Sequence, residues 1–287
     1  MKKYIIATII LFLLLPTTMI THAQTPQKNS TWIWNPWSLY KEEKNILQFL
    51  QKNKVQQVYL QVDPEIPNSI YQQFIAKAGK NNINVQALDG SADWIFTENN
   101  KMNSFFQWLT KYQKNSKENQ RFSGVHLDIE PYLLPKWSTD LNKTVLAYQE
   151  TIKASIIKSN KLGLPIGIDM PFWFDTISFR NKYGNSNLAK WTIKEASYTT
   201  IMAYRNTSTG SNGINTLVKE EVQYAKSVKK PIQIAVETGE SLEGANVSFY
   251  GKPLSYMTQE LNKVKKTYAK YDISISIHYI ETWMQMK

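Results

Sequence analysis

The chain has 287 residues, of which 42% are hydrophobic, and it carries 34 Lys and Arg residues, 23 Asp and Glu residues and no Cys. This length and apolar content are sufficient for one large domain with a sizeable core. The lack of Cys excludes disulfide bonds and thiol chemistry. The three His residues are not spaced as metal ligands, and no Gly-rich phosphate-binding loop is present. We therefore expect neither a metal nor a cofactor.

The N-terminus has the pattern of a secretory signal peptide. Two Lys residues precede an apolar run over 4–15, and Ala23 provides a small residue at a cleavage site. The run is too short to be a comfortable membrane span. We therefore predict a signal peptide over 1–23 and a single mature domain over 24–287, which is secreted and has no stable transmembrane segment after cleavage. An uncleaved N-terminal anchor is the alternative.

The formal net charge of +11 bears on the partners of such a protein. Secretion argues against nucleic acid. A basic exported protein is instead expected to lie against an anionic cell envelope, and solubility alone is the alternative explanation of the charge.

Along the rest of the chain, strand-like apolar runs alternate with helix-like stretches. Strands are predicted over 31–35, 55–63, 83–89, 124–130, 164–170, 198–204, 231–237 and 273–280, and helices over 41–53, 69–80, 103–117, 139–159, 187–195, 214–228 and 254–270. This alternation predicts a parallel sheet, and eight strands fit a single-domain (β/α)8 TIM barrel, with a doubly wound open sheet as the alternative. Few residues follow the last strand, so we expect the eighth helix to be missing or truncated.

The fourth strand is the most informative segment. Because side chains alternate along a strand, His126, Asp128 and Glu130 share one face, opposite three apolar residues. Buried carboxylates are costly, so a general acid tuned by a neighbouring Asp is one interpretation of this pair. A solvated strand end or a buried polar network is the other.

Acidic or aromatic residues stand at the ends of most other strands as well. In a TIM barrel these ends converge on the active site, so we expect the following residues around one cleft: Trp34, Asp63, Asp89, Glu130, Asp169, Tyr204, Glu237 and Trp283. Further tryptophans, among them Trp37, Trp94, Trp137 and Trp173, follow the same ends. Several aromatic side chains around one rim suggest a stacking surface for sugar rings.

Three motifs resemble glycoside hydrolase family 18, the family of chitinases and endo-N-acetylglucosaminidases. The segment 124–130 (Gly-Val-His-Leu-Asp-Ile-Glu) is similar to the end of the family's strand-four signature Asp-x-x-Asp-x-Asp-x-Glu. Met202 and Tyr204 match its strand-six Met-x-Tyr, and Trp283 matches the tryptophan that forms the floor of its central subsite. The first two Asp of the signature are Ser123 and His126 here, so the chain resembles a divergent member.

The resemblance implies a substrate-assisted glycosidase acting on an N-acetylhexosamine-containing polysaccharide, a mechanism without a protein nucleophile. It implies Glu130 as general acid/base, Asp128 and Tyr204 as residues that hold the acetamido group, and Trp283 as the floor. The remaining expected substrate contacts are Trp34, Asp63, Asp89, Asp169, Trp173 and Met202. His126 would hydrogen-bond Asp128 in place of the missing Asp, with His278 completing that network, or it would be a packed core residue.

Two other functions stay open. Glu237 on strand seven faces inward by its phase, so a retaining glycosidase with Glu130 as acid/base and Glu237 as nucleophile is possible; Glu237 could instead bind a sugar hydroxyl. The altered positions Ser123 and His126 would also fit a barrel that binds glycans without catalysis.

Overall fold

A computed structural model describes residues 29–287. The predicted signal peptide and its cleavage site lie outside the described residues. No helix within 29–287 has the length and hydropathy needed to span a membrane.

The described chain forms a closed parallel barrel. Its eight strands are β1 (Asn29–Ile33), β2 (Val55–Gln61), β3 (Asn84–Asp89), β4 (Val125–Leu127), β5 (Ile166–Pro171), β8 (Tyr198–Met202), β9 (Ile232–Glu237) and β10 (Ile273–His278). Neighbouring strands follow chain order around the ring, and β1 closes it by pairing with β10. The predicted (β/α)8 barrel is therefore confirmed, and the doubly wound open sheet is wrong.

Helices connect these strands. They are α1 (Leu39–Lys52), α2 (Asn68–Gly79), α3 (Lys101–Asn115), α4 (Pro135–Thr139), α5 (Leu141–Lys161), α6 (Leu188–Glu195), α7 (Ile214–Leu217), α8 (Lys219–Ser227), α9 (Leu254–Thr267) and α10 (Ile280–Trp283). The stretch predicted as one helix over 214–228 is divided at Val218 into α7 and α8. The eighth helix is reduced to α10, which has four residues.

An antiparallel hairpin of β6 (Ser178–Asn181) and β7 (Gly184–Asn187) lies between β5 and α6. The sequence did not predict it, because four-residue strands of mostly polar residues have no apolar period. The side chain of Asn187 ends the hairpin and begins α6 by accepting the backbone N–H of Lys190 at 2.8 Å.

The barrel interior contains a polar network as well as apolar side chains. The hydroxyls of Ser30 and Ser276 lie 2.6 Å apart, and Ser276 donates to Gln233 Oε1 at 3.0 Å. Tyr59 also donates to this oxygen. Ser30 and Thr200 also lie within hydrogen-bond distance of it, at 3.4 and 3.2 Å, so four residues from four other strands satisfy this buried oxygen. The network fills the space beneath the mouth of the barrel and supports the residues above it.

Gly167 on β5 makes room for this network. A Cβ atom at this position would lie 2.1 Å from Cζ of Tyr198. The ring of Tyr198 therefore enters the interior only because residue 167 has no side chain.

Candidate active site

The polypeptide leaves β4 at Leu127 and carries Asp128 and Glu130 over the mouth of the barrel. The N–H of Asp128 donates to the carbonyl of Asp89 at 3.1 Å, which continues the pairing with β3. Gly90 follows Asp89 with φ of 148°, and a Cβ there would lie 2.3 Å from the carbonyl oxygen of Asp128. Only glycine fits this conformation and this approach, so Gly90 sets the height of Asp128 above the barrel.

Asp128 is a carboxyl group whose surroundings raise its pKa. Its Oδ1 is buried and has no hydrogen-bond partner within residues 29–287. Burial, and then the negative charges of Asp169 and Glu130, raise the pKa of Asp128 well above its usual range. The orphaned oxygen is available to a ligand, because a buried polar atom without a partner is destabilising by about 1–3 kcal/mol.

Burial also raises the pKa of Glu130. The hydroxyl of Tyr132 donates to Glu130 Oε1 and partly opposes the shift, while the charge of Asp169 adds to it. Glu130 therefore retains its proton to higher pH than a free carboxyl group, as a general acid requires.

His126 does not contact Asp128 through a hydrogen bond. Its Nε2 donates to Asp169 Oδ1 at 2.7 Å and its Nδ1 is 2.9 Å from the hydroxyl of Tyr198. The imidazole stacks on Tyr59 with ring centroids 3.6 Å apart. The expected His126–Asp128 hydrogen bond is wrong: the ring lies one layer below, where it holds Asp169.

Asp169 is a carboxylate of the site that hydrogen bonds hold in a fixed position. Besides His126, the indole Nε1–H of Trp32 donates to its Oδ2 at 3.2 Å, and the residue is buried. Both oxygens are thus held by donors from other strands. Asp169 adds to the raised pKa of both Asp128 and Glu130.

A second group of residues lies at the ends of β9 and β10. Glu237 Oε1 accepts the backbone N–H groups of Thr238 at 2.7 Å and Gly239 at 2.5 Å. His278 Nδ1 donates to Glu237 Oε2 at 2.6 Å, and the indole of Trp34 donates to His278 Nε2 at 2.7 Å. The expected link between His278 and His126 is therefore replaced by a separate chain from Trp34 to Glu237.

Tyr204 joins the two groups. Its ring stacks on His278 with centroids 5.7 Å apart. Burial, and then the negative charges of Glu237, Asp128, Asp169 and Glu130, raise its pKa well above the usual range. Four carboxyl groups thus act on the pKa of one phenol, which remains a hydrogen-bond donor.

Trp283 is not at the mouth. It is 4% exposed and packs edge-on against Phe49 of α1 at 5.0 Å, within the apolar layer between helix and barrel. The floor role inferred from the resemblance thus does not match its position. Tyr279 immediately follows β10 and packs, like Trp34 and Tyr204, against the buried cluster that contains Trp32 and Tyr59. Strand parity would not have suggested this tyrosine, because His278 immediately before it already faces the site and successive side chains of a strand alternate.

The other expected contact residues are spread from the centre to the rim. Trp173 packs against Tyr132 at 5.0 Å, beside the Glu130 carboxyl group. Asp63 lies farther out, where it accepts the indole N–H of Trp37 at 2.8 Å, and Trp37 is 47% exposed. Sequence reasoning missed Tyr132, whose only signal is its position two residues after Glu130.

Asp89 and Met202 form parts of the barrel wall. Asp89 accepts the N–H of Gly90 at 2.8 Å and the Gln61 amide at 3.3 Å, and burial raises its pKa. Met202 is buried at the end of β8, paired with Ala235 of β9. Within residues 29–287, no group of three or more His, Cys, Asp or Glu is arranged to hold a metal ion.

The fold is similar to three solved glycan-degrading enzymes. The PgaB (BpsB) glycoside hydrolase domain from Bordetella bronchiseptica matches with a TM-score of 0.54 and 9% identity over 90% of this chain and 95% of that chain. A family 18 chitinase from Pseudoalteromonas aurantia matches with a TM-score of 0.52 and 10% identity over 88% of this chain and 93% of that chain. The spore cortex-lytic enzyme SleL from Bacillus megaterium matches with a TM-score of 0.50 and 13% identity over 85% of this chain and 58% of that chain.

At these identities the likeness establishes the barrel fold and nothing finer. The resemblance to family 18 is thus confirmed at the level of the fold. Neither a protein-family model nor a curated protein sequence matches the chain.

Proposed function

We propose that the protein is a secreted glycoside hydrolase that cleaves an N-acetylhexosamine-containing glycan, with Glu130 as general acid/base and the substrate's acetamido group as nucleophile. One observation carries the proposal. Asp128 and Glu130 stand two residues apart at the mouth of the barrel, Oδ1 of Asp128 is buried without a partner in the described chain, and the charges of both residues act on the phenol of Tyr204.

The first step needs a proton on the leaving oxygen. Glu130 supplies it, because burial and the charge of Asp169 raise the pKa of its carboxyl group. Loss of that proton leaves Glu130 as the base that activates water in the second step, as microscopic reversibility requires.

The acetamido group needs to be held in place and then stabilised as it becomes positively charged. The unpartnered Oδ1 of Asp128 is an acceptor for the acetamido N–H. Tyr204 donates to the acetamido oxygen, since its raised pKa keeps the proton on the phenol. Asp128 in its ionised form accepts this N–H and stabilises the positive charge that develops on the acetamido group.

Tyr279 replaces Trp283 as the proposed floor of this subsite. It is partly exposed and packs against the same cluster as Trp34 and Tyr204. An aromatic face in this position packs against the C–H face of a sugar ring.

The alternative with Glu237 as nucleophile receives less support. Three N–H donors already occupy lone pairs of its carboxylate, which leaves the group less available to attack an anomeric carbon. A 2-fluoro sugar that traps a glycosyl-enzyme would label Glu237 in a two-carboxylate enzyme, whereas a thiazoline analogue of the bicyclic intermediate should inhibit a substrate-assisted one.

The decisive variant is Glu130→Gln, which keeps the shape and removes the transferable proton. Release of reducing sugar from chitin, peptidoglycan and amino-sugar exopolysaccharides should fall about 10²–10⁴-fold. Glu118→Gln is the matched control, because Glu118 is exposed and precedes β4, at the opposite end of the barrel. Unchanged turnover in Glu130→Gln would remove this residue from the mechanism. Glycan binding without any turnover in the wild type would establish the non-catalytic function instead.

Secretion is a separate part of the proposal. N-terminal sequencing of protein collected from the culture medium should begin immediately after Ala23. A chain that stays with the cells and still begins at Met1 would indicate the uncleaved anchor.

A further inference from the structure

The positive charge of the chain is concentrated at the end of the barrel opposite the mouth. We define the lower face as the last turns of seven helices and the loops that lead from them to the next barrel strand, over 49–54, 76–83, 112–124, 158–165, 192–197, 224–231 and 264–272. It contains 16 Lys and Arg residues and three Asp and Glu residues, whereas the rest of the chain has 18 and 20. The formal charge of the lower face therefore exceeds the net charge of +11 of the whole chain.

Almost none of this charge is balanced within the protein. In the described part of the chain, Lys77 is the one member of the sixteen that forms an ion pair, with Glu43. Of the three acids, Glu195 is already paired with Lys153, which lies outside the lower face. Thirteen of the sixteen basic side chains are exposed, and the partly buried ones are Lys158, Lys230 and Lys265. The lower face thus presents a positive potential to solvent.

Helix stability and solubility explain only part of this placement. Nine of the sixteen lie in the last turns of helices, where a positive charge interacts favourably with the helix dipole. The other seven lie in the loops. Two of these, Lys54 and Lys229, have φ of 53° and 55°, in the left-handed region where Gly or Asn is favoured after a helix. Solubility requires a net charge but not its concentration on one face, so the placement indicates an anionic partner.

Three lysines of the lower face line one cavity. Lys226, Lys229 and Lys230 surround it together with Tyr271 and Asp272, and its volume is about 220 Å³. Nζ of Lys226 lies over the ring of Tyr271, 4.7 Å from the centroid. Nζ of Lys230 donates to the carbonyl of Ala196 at 2.6 Å, which leaves two of its three N–H donors for an anion. The volume is below the roughly 300–1,000 Å³ of pockets for drug-sized ligands and suits a smaller unit, such as a phosphate group with its glycerol.

The apolar side chains distinguish a polymer from a membrane surface. Proteins that lie on a bilayer insert exposed apolar side chains beside their basic ones. Among the large apolar side chains exposed within 29–287, Ile157 borders the lower face and the others lie elsewhere. A bilayer also cannot enter the cavity beside Lys226, whereas one unit of a flexible chain can. The lower face therefore fits a hydrophilic polyanion better than a lipid surface.

We propose that the lower face docks the protein on a phosphodiester-linked polyanion of the cell envelope, with Lys226, Lys229 and Lys230 around one phosphate group. This inference rests on the secretion part of the proposed function, because an exported chain is the one that meets such a polymer. The two ends of the strands lie on opposite sides of a parallel barrel. Docking through the lower face therefore holds the protein at the envelope and leaves the mouth open to a glycan.

The test measures binding of the purified protein to poly(glycerol phosphate) by isothermal titration calorimetry, at about 50 mM and about 200 mM salt. The slope of log affinity against log salt is about −0.7 for each phosphate contact of a single-stranded polyanion. Contacts with three lysines should therefore lower the affinity about 20-fold between the two salt concentrations. An affinity that does not change with salt would contradict docking by charge.

Two double variants assign the binding to the lower face. Lys226→Gln with Lys229→Gln should weaken binding about 25-fold, because each Lys close to an anionic surface strengthens binding about fivefold. Lys41→Gln with Lys44→Gln is the matched control, because both lysines are exposed near the start of α1, at the mouth end, and the change of charge is the same. Circular dichroism checks that each variant is folded. An equal loss of affinity in both would show a general charge effect and overturn the assignment to the lower face.

Two further ligands test the choice of partner. Vesicles of phosphatidylglycerol and a duplex DNA oligonucleotide are compared with the polymer at equal phosphate concentration. Tighter binding to either than to poly(glycerol phosphate) would overturn the assignment to an envelope polymer.

The outcomes also separate this inference from the proposed function. Failure to bind the polymer would overturn the inference and leave glycoside hydrolysis in place. Binding to the polymer by a protein that cleaves no glycan would support the docking surface and contradict the hydrolase.

Discussion

The charge of Asp169 makes a quantitative prediction about the pH range of activity. The register between β4 and β5 pairs His126 with Gly167 and Leu127 with Ile168. One step further, Asp128 stands opposite Asp169 on the neighbouring strand. Asp169 is one cause of the raised pKa of both Asp128 and Glu130. The substitution Asp169→Asn removes the charge and preserves the size of the side chain.

The magnitude follows from this geometry. Neighbouring strands lie about 4.8 Å apart, so the carboxyl charges of Asp169 and Asp128 are separated by about 5–7 Å. At an effective dielectric constant of about 20 their repulsion is about 2–3 kcal/mol. Glu130 lies two residues farther along the chain, so its repulsion from Asp169 is weaker, about 1–2 kcal/mol.

The sign is set by the role of Glu130 as an acid. A raised pKa keeps the group protonated to higher pH, so activity is lost as pH rises through that value. Asp169→Asn lowers the pKa of Glu130 and should therefore move the high-pH limb of the kcat/KM profile to lower pH by about 1 unit.

The assay is a kcat/KM profile from about pH 4 to about pH 9 on a soluble fluorogenic N-acetylglucosamine oligosaccharide. Asp272→Asn is the matched control, because Asp272 is exposed and precedes β10, at the other end of the barrel. Folding of both variants is checked by circular dichroism. A high-pH limb that stays in place, or moves upward, in a folded Asp169→Asn variant would refute the electrostatic coupling.

Three further predictions concern stability and the floor of the subsite. Glu221 is 3% exposed, neither of its oxygens has a partner in the described chain, and burial raises its pKa to about 7. Its contribution to stability is present below about pH 4 and is lost as pH rises through 7. In urea unfolding, Glu221→Gln should therefore recover about 3 kcal/mol at pH 8 and little at pH 4. Gly167→Ala should destabilise the barrel by about 1–3 kcal/mol, because its Cβ would overlap the ring of Tyr198; an unchanged melting temperature would contradict this packing. Tyr279→Ala should raise KM by about tenfold, whereas Trp283→Phe should lower the melting temperature without a comparable change in KM; the reverse pattern would restore the tryptophan floor.

The barrel could be predicted because its strands carry a strong local signal. Each barrel strand contains several apolar residues in a short run, and helices of ordinary length separate these runs. All eight predicted strands overlap barrel strands. The predicted ends were too long at β4, where the strand stops at Leu127. Beyond that residue the chain turns over the barrel mouth, and no period in the sequence marks this change.

The acidic strand ends could be predicted for a topological reason. In a parallel barrel all C-terminal ends share one rim, so Asp128, Glu130, Asp169 and Glu237 had to lie near each other once the strands were assigned. The partners of these groups could not be predicted in the same way. The contact between His126 and Asp169 spans 43 positions and that between Trp34 and His278 spans 244. Such pairs depend on side-chain rotamers and on space left by small residues such as Gly167. Neither composition nor hydrophobic periodicity reveals these features.

The position of His126 shows how a motif can change while its electrostatics persist. By the family resemblance, an acidic residue would stand beneath Asp128 on the same strand. Here that position is an imidazole, and the nearest negative charge is instead Asp169 on β5, which His126 and Trp32 hold in place. Asp128 is still faced by a carboxylate that raises its pKa. A carboxylate on the neighbouring strand thus acts on Asp128, so the departure from the motif is not by itself evidence for loss of catalysis. For the same reason, a search for similar sites in other barrels should compare the charges around the catalytic acid rather than the residue types of the motif on one strand.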